Sequence, residues 1–269
     1  MAELLRVQNL SHHYYSHSGW LGRKRVEAVK HVSFTLEPSE TIAILGESGS
    51  GKSTLAKILS GMTKPSSGDI FVNGEGLIFG DYQRRCRLIR MIFQDPHTSL
   101  NPNTTIGRIL EAPLLLNTEH DNLQRQKKID EVLENVGLLR DHSEFYPSML
   151  SSAQQQRLSL ARALILNPKV IVSDGGIAAQ DISLRAQMAN IMLEQQRRFG
   201  LSYVIVTNDL DLVQHLADKV MLMHQGEAVE YCDNHTFFDN PAHELSKRLL
   251  RSYNSRNEFS YKSRTDPST

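Results

Sequence analysis

The segment Gly46-Glu47-Ser48-Gly49-Ser50-Gly51-Lys52-Ser53-Thr54 constrains this chain more than any other. It follows the apolar run Thr41-Ile42-Ala43-Ile44-Leu45 and precedes Leu55-Ala56-Lys57-Ile58-Leu59, so it links a buried strand to a helix start. Gly46, Gly49 and Gly51 permit the tight path in which successive N–H groups, aided by the helix dipole, surround a β/γ-phosphate. Lys52 adds a mobile positive charge, and the Ser53 hydroxyl suits a Mg²⁺ ion. A Gly/Ser turn that merely neighbours a lysine would not need the whole pattern in this setting. The segment predicts a nucleoside triphosphate site.

Composition limits what surrounds this loop. The 269 residues are 40% apolar and 22% charged, as expected of a soluble chain with one large or two small domains. Thirty basic and thirty acidic side chains cancel, so no overall field draws the chain to nucleic acid or to an anionic membrane. Cys86 and Cys232 lack metal-type spacing, and Met1-Ala2-Glu3-Leu4-Leu5-Arg6-Val7 does not read as a secretory signal, so a reducing cytoplasm is expected. No window approaches the roughly 18 apolar residues of a membrane span. Any work at a membrane would be that of a peripheral subunit.

Short strand-like runs alternate with helical periodicity, which gives an α/β class. Strands are expected at Leu4–Val7, Val32–Leu36, Thr41–Leu45, Ile70–Val72, Leu88–Phe93, Val170–Ser173, Tyr203–Val206, Val220–Met223 and Ala228–Glu230. The first four look antiparallel in part. The runs ending near Leu45, Ser173 and Val206 look parallel and buried on both faces, with phosphate chemistry at their carboxyl ends. From Asp95 to Leu150 strands are missing, and Ile106–Leu116 and Gln126–Leu139 carry helical spacing. Ala242–Leu250 reads as a further helix, and the polar segment Asn254–Thr269 as a mobile tail.

Four further segments select among phosphate-loop proteins. Met91-Ile92-Phe93-Gln94-Asp95-Pro96 ends a strand with a glutamine able to reach Mg²⁺ or an attacking water. Leu150-Ser151-Ser152-Ala153-Gln154-Gln155-Gln156-Arg157 opens a helix just before Val170-Ile171-Val172-Ser173-Asp174, and Val206-Thr207-Asn208-Asp209 follows a buried strand. In this order and spacing the chain resembles the ATP-binding-cassette (ABC) family to about residue 250. Within it, Gly80-Asp81-Tyr82, Thr98-Ser99-Leu100-Asn101-Pro102, Met223-His224-Gln225-Gly226-Glu227 and Asn240-Pro241-Ala242-His243-Glu244-Leu245 resemble ATPase subunits of the peptide-uptake (Opp/Dpp/Sap) group.

The resemblance implies a P-loop NTPase domain at 1–240, with a RecA-like core, an antiparallel β subdomain and a helical subdomain inserted at about 96–157. Residues 241–269 would form a C-terminal helix and the polar tail. It further implies ATP and Mg²⁺ as ligands, with Gly46, Glu47, Ser48, Gly49, Ser50, Gly51, Lys52, Ser53 and Thr54 around the phosphates. Ser53, Gln94 and Asp174 would hold Mg²⁺, and Tyr14 would stack on adenine, with Tyr15 the alternative. Ser151, Ser152, Ala153 and Gln154 would serve ATP held by a second subunit. Implied partners are a second ABC ATPase subunit, two polytopic permease subunits and a soluble peptide-binding protein, with no nucleic acid. The implied location is the cytoplasmic face of the bacterial inner membrane.

The departures from the family are informative. After Asp174 the family usually has a glutamate that activates water; here Gly175 and Gly176 follow. The switch histidine is replaced by Asn208, which cannot carry a proton's charge. Loss of a water-activating base typically removes about 10² to 10⁴ in rate. Leu-Ser-Gly-Gly-Gln becomes Leu150-Ser151-Ser152-Ala153-Gln154, which keeps a capping box but adds Cβ atoms where glycine allows close approach. The D-loop Ala178-Ala179-Gln180-Asp181 has Gln180 where leucine is common. The expectation is a catalytically degenerate member of an asymmetric ATPase pair. The alternatives are a non-hydrolysing nucleotide-sensing subunit and a soluble ABC ATPase outside transport.

Other clusters carry less. Arg84, Arg85, Arg87 and Arg90, and Arg23-Lys24-Arg25, read as solvated faces, since they lack the interleaved aromatics of a nucleic-acid platform. His12, His13 and His17 read as a polar hairpin rather than a metal site. No cysteine follows Cys232, so the iron–sulfur motif of some relatives is not expected.

Overall fold

Two sheets divide the strands of the computed structural model, which describes residues 3–17, 23–93, 95, 99–175 and 182–265. In the first, β1 (Leu5–His17) pairs antiparallel with β2 (Arg23–Leu36) and with β4 (Ser67–Val72), and β4 pairs with the short β5 (Glu75–Gly76). Both β1 and β2 extend well beyond the expected runs. Register shifts at Val7/Leu10, Leu10/His12 and His12/His13 interrupt the alternation of inward and outward side chains, which hides the strand from a period-two reading. The histidine-rich stretch does lie in an antiparallel hairpin, with His12 opposite Val29 and His17 opposite Arg23.

The second sheet runs β10-β9-β3-β8-β7-β6. Here β6 (Ile89–Ile92), β7 (Val170–Asp174), β8 (Ser202–Val206), β3 (Thr41–Gly46) and β9 (Lys219–His224) are parallel, and β10 (Glu227–Asp233) closes one edge antiparallel. Thr41–Leu45 therefore leaves the antiparallel group in which its neighbours lie. Its side chains alternate between two cores: Ile42 and Ile44 join Val172, Val206 and helix α1 (Lys52–Leu59), while Ala43 and Leu45 join Val220, Leu222 and Phe237. A strand buried on both faces must be apolar throughout, as this one is.

Helix α2 (Tyr82–Leu88) takes up the basic segment. It has no apolar stripe to announce it. Asp81 caps it by accepting from the Arg84 N–H at 3.1 Å, and Arg85, only 3% exposed, donates to the Leu59 and Leu77 carbonyls at 2.8 and 3.0 Å. Arg85 is thus a buried bracket between α1 and the first sheet, not part of a solvated face. Arg84 pairs with Glu75 in the same region.

Helices α3 (Ile106–Asn117) and α4 (Asn122–Asn135) occupy the strand-free stretch, and Ile106, Leu110 and Leu114 pack with Ile129, Val132 and Leu133. An Asp121/Gln124 capping box starts α4. Then follow α5 (Ser152–Leu164), α6 (Ile182–Phe199), α7 (Leu210–Leu216) and α8 (Asn234–Asp239).

The last helix, α9 (Glu244–Thr265), continues far past Leu250, so the backbone from Asn254 to Thr265 is helical where a mobile tail was expected. Polar composition does not end a helix without Gly or Pro, and none occurs between Ala242 and Asp266. Ser252 and Ser255 hydroxyls donate back to the Arg248 and Arg251 carbonyls at 3.1 and 2.8 Å. Glu230 anchors its start: the carboxylate accepts from the Ala242 and His243 N–H groups at 2.7 and 3.1 Å and from the Ser246 hydroxyl.

Burial alone would raise the Glu230 pKa, but the Ser246, Ala242 and His243 hydrogen bonds outweigh it and hold the group below the ordinary value. A depressed folded pKa contributes stability that is present above the unfolded pKa and lost as pH falls through the folded one. Glu230→Gln is therefore expected to lower the unfolding free energy at neutral pH by about 2 kcal/mol. In denaturant titrations the deficit relative to wild type should shrink below pH ~4.

Candidate functional site

The carboxyl ends of β3, β7 and β8 converge: Ile44 lies opposite Val206, and Val206 opposite Asp174. The loop after β3 curls over these ends with φ of 147° at Gly46, 80° at Gly49 and 104° at Gly51. A Cβ at Gly46 would lie 2.2 Å from the Met223 carbonyl oxygen, and one at Gly51 would lie 2.0 Å from that of Ala28. The loop is thus wedged between β9 and β2, and only glycine fits at either point. Ala28 was not singled out in the sequence, and Met223 only as part of a strand and of a stretch that carries the resemblance, because a backbone oxygen leaves no trace in residue type.

A cleft of about 460 Å³ opens over the loop, lined by Ser48, Gly49, Lys52, Ser53, Asp174 and Asn208 among others. Lys52 is 8% exposed, and its Nζ donates to the Gly46 and Glu47 carbonyls, both at 2.7 Å. Burial lowers its pKa, against the opposing pull of Asp174 and Glu47. The ammonium is held by the loop's own backbone.

The Ser53 hydroxyl donates to Asp174 Oδ1 at 3.0 Å. A hydroxyl and a carboxylate in contact at the start of a phosphate-binding helix are hard oxygen donors of the kind Mg²⁺ takes, so the residues fit that ion. Gln94, the third expected ligand, lies outside the described residues, as do Gly176 and the D-loop Ala178–Asp181.

Gly175 follows Asp174 with φ 71°, and its N–H donates to the Val206 carbonyl at 2.9 Å. It places no side chain in the cleft. Asn208, with its amide nitrogen turned to the acceptors around it, donates to the Gly46 carbonyl at 2.9 Å and to the Thr207 carbonyl at 3.1 Å. Asp209 caps α7 by accepting from the Leu212 N–H at 3.2 Å and pairs with Arg185, which the sequence did not single out.

The Tyr14 hydroxyl lies 3.4 Å from the Thr54 hydroxyl, and its ring meets the His12 ring edge-on with centroids 4.5 Å apart. The ring contact of Tyr15 is with His13 instead. Tyr14 is therefore the tyrosine that hydrogen-bonds at the start of α1. His12, beside it, was read only as part of a polar hairpin.

The signature segment starts α5 and does not line this cleft. Ser151 Oγ accepts from the Gln154 N–H at 3.3 Å, and Gln154 Oε1 accepts from the Ser151 N–H at 2.9 Å, which completes the expected capping box. Ser152 and Ala153 occupy the first turn, and Gln155 is buried, donating to the Pro147 and Leu150 carbonyls at 3.0 and 3.2 Å.

Gly51→Ala should destabilise the chain by about 3 kcal/mol, overpacking against Ala28 adding to the cost of its positive φ. Gly49→Ala, with nothing within 4 Å of its Cβ, should cost only about 1 kcal/mol from its positive φ. Paired denaturant unfolding curves separate the two effects.

A family model described as ABC transporter matches residues 29–178. The SapF protein of Escherichia coli K12, named as a putrescine export system ATP-binding protein, is 52% identical over 247 residues, which cover 92% of each chain. The SapF protein of Escherichia coli O6:H1 matches to the same extent and is named as a peptide transport system ATP-binding protein. DppF of Escherichia coli K12, named as a dipeptide transport ATP-binding protein, is 41% identical over 92% of this chain and 75% of its own length. Among solved structures, a dimeric ATP-binding cassette in a post-hydrolysis state bound to ADP and Pi matches with TM-score 0.75 and 25% identity, over 86% of this chain and 99% of that one. With a phosphate loop, a Ser53–Asp174 contact and a capped signature helix on this sheet, the chain belongs to the ABC transporter family and carries its ATP-binding domain.

Proposed function

We propose that this chain is the ATP-binding subunit of a bacterial inner-membrane peptide importer, and a catalytically degenerate member of an asymmetric ATPase pair. The observation that carries the second half is the cleft itself. The Ser53–Asp174 contact is in place there, whereas the position after Asp174 is Gly175 and the Asn208 amide is engaged by backbone carbonyls.

In this reading the Gly46–Thr54 segment holds the phosphates, Tyr14 stacks on adenine, and Ser53, Asp174 and Gln94 hold Mg²⁺. The ion neutralises phosphate charge. Gly175 supplies no general base, and Asn208 supplies no proton-bearing imidazole. Ser151 to Gln154 face ATP on the second ATPase subunit, with Ser152 and Ala153 narrowing the approach. ATP held here keeps the pair together while the other site turns over. Two permease subunits and a soluble peptide-binding protein complete the assembly at the cytoplasmic face of the membrane. Among the described residues no helix is long and apolar enough to cross a membrane.

Peptide as cargo is favoured by the names of SapF from strain O6:H1 and of DppF. The K12 SapF name favours a second reading, putrescine export, at the same identity. Uptake of labelled peptide against efflux of labelled putrescine, in cells with and without this chain, decides between them.

The catalytic reading is tested by steady-state ATPase assays of the chain alone, of the chain mixed with an intact partner, and of Gly175→Glu/Asn208→His. The expected result is turnover about 10² to 10⁴-fold below the mixture for the chain alone, with a partial gain on repair. The gain is partial because Gly175 has φ 71°, where a glutamate carries about 1–2 kcal/mol of backbone strain. Full activity of the chain alone contradicts the reading.

A further inference from the structure

Asn208 stands where the family resemblance implies a histidine directed at the γ-phosphate, yet its amide is engaged elsewhere. One end of the amide meets only acceptors, the carbonyl oxygens of Gly46 at 2.9 Å and Thr207 at 3.1 Å, which assigns the nitrogen to that end. The Gly46 oxygen also accepts from Lys52 Nζ at 2.7 Å. A carbonyl oxygen has two lone pairs, so these two donors saturate it. Main-chain bonds tie the same loop to its surroundings: the Thr207 N–H donates to Ile44 at 3.2 Å, and the Gly226 N–H to Ser50 at 3.0 Å.

We propose that Asn208 is a positioning residue that holds the phosphate loop through the Gly46 carbonyl, so that this site binds nucleoside diphosphate and triphosphate with similar affinity. When Lys52 moves to a phosphate oxygen, it gives up its bond to Gly46. A buried carbonyl left with no donor is destabilising. Asn208 keeps one donor on that oxygen throughout the exchange. Lys52 makes the same move for a diphosphate as for a triphosphate, because the β-phosphate is common to both. Both amide hydrogens of Asn208 are engaged, and the other end of the group is an acceptor oxygen that offers nothing to a γ-phosphate. The switch strand therefore supports the loop without reading the third phosphate. The inference rests on the nucleotide reading of this cleft and concerns discrimination within it.

The test is equilibrium binding of Mg-ADP and Mg-ATP to the full chain, as wild type, Asn208→Ala and Asn208→His. Wild type is expected to bind the two within about fivefold of each other, and Asn208→Ala to weaken both by the same factor of about five, the worth of one neutral hydrogen bond. Hydrogen exchange across Gly46–Gly51 should quicken in Asn208→Ala. Asn208→His should shift the ratio toward ATP, and it keeps the test open should the alanine variant fail to fold. A wild type that prefers ATP by about 100-fold, a loss confined to ATP in Asn208→Ala, or a ratio unmoved by Asn208→His overturns the inference while leaving nucleotide binding intact. Failure to bind either nucleotide overturns the nucleotide reading, and this inference with it.

Discussion

The site depends on a backbone contact that only glycine permits. At Gly46 the phosphate loop lies so close to β9 that a single added carbon would sit 2.2 Å from the Met223 oxygen, and at Gly51 it meets β2 just as closely at Ala28. These two contacts fix the loop against both sheets at once. The helix that follows then starts at Lys52, with Ser53 in contact with Asp174 across the sheet edge. Parallel strands that end in register bring Gly46, Asp174 and Asn208 together although they are far apart in sequence.

The cleft therefore combines a loop geometry suited to polyphosphate with a hydrolytic side that lacks side chains of the expected kind. Gly175 has no functional group, and the Asn208 amide nitrogen is turned to the Gly46 and Thr207 carbonyls. Lys52 is held by the Gly46 and Glu47 carbonyls, and on the proposed reading it exchanges them for phosphate oxygens. On the proposed reading, such a site holds a nucleotide more than it attacks it. On this account the pair divides the work, with one site retaining nucleotide and the other turning over.

Much of this was legible in the sequence where a residue type has one physical use. The glycines and lysine of the loop, the doubly buried β3, β7 and β8, and the Ser151/Gln154 capping box all follow from local rules. What was not legible depends on contacts between distant segments. The bulges at His12 and His13 broke the period of β1, and α2 has no apolar face because its buried residue is Arg85, bound to the Leu59 and Leu77 carbonyls. Helix α9 continues through a polar segment that composition alone would leave unstructured, with Glu230 holding its start from another element. Asn208 could be read as a substitution, but its partner, a carbonyl oxygen on Gly46, could not.

The most direct test of this division of work is the fate of nucleotide on this chain within a working pair. The chain is mixed with its intact partner, given doubly labelled ATP, allowed many turnovers, and rapidly separated from free nucleotide. The account predicts that intact ATP, γ-phosphate included, remains on this chain while the partner's site releases phosphate. ADP appearing on this chain at the rate of overall turnover would contradict it.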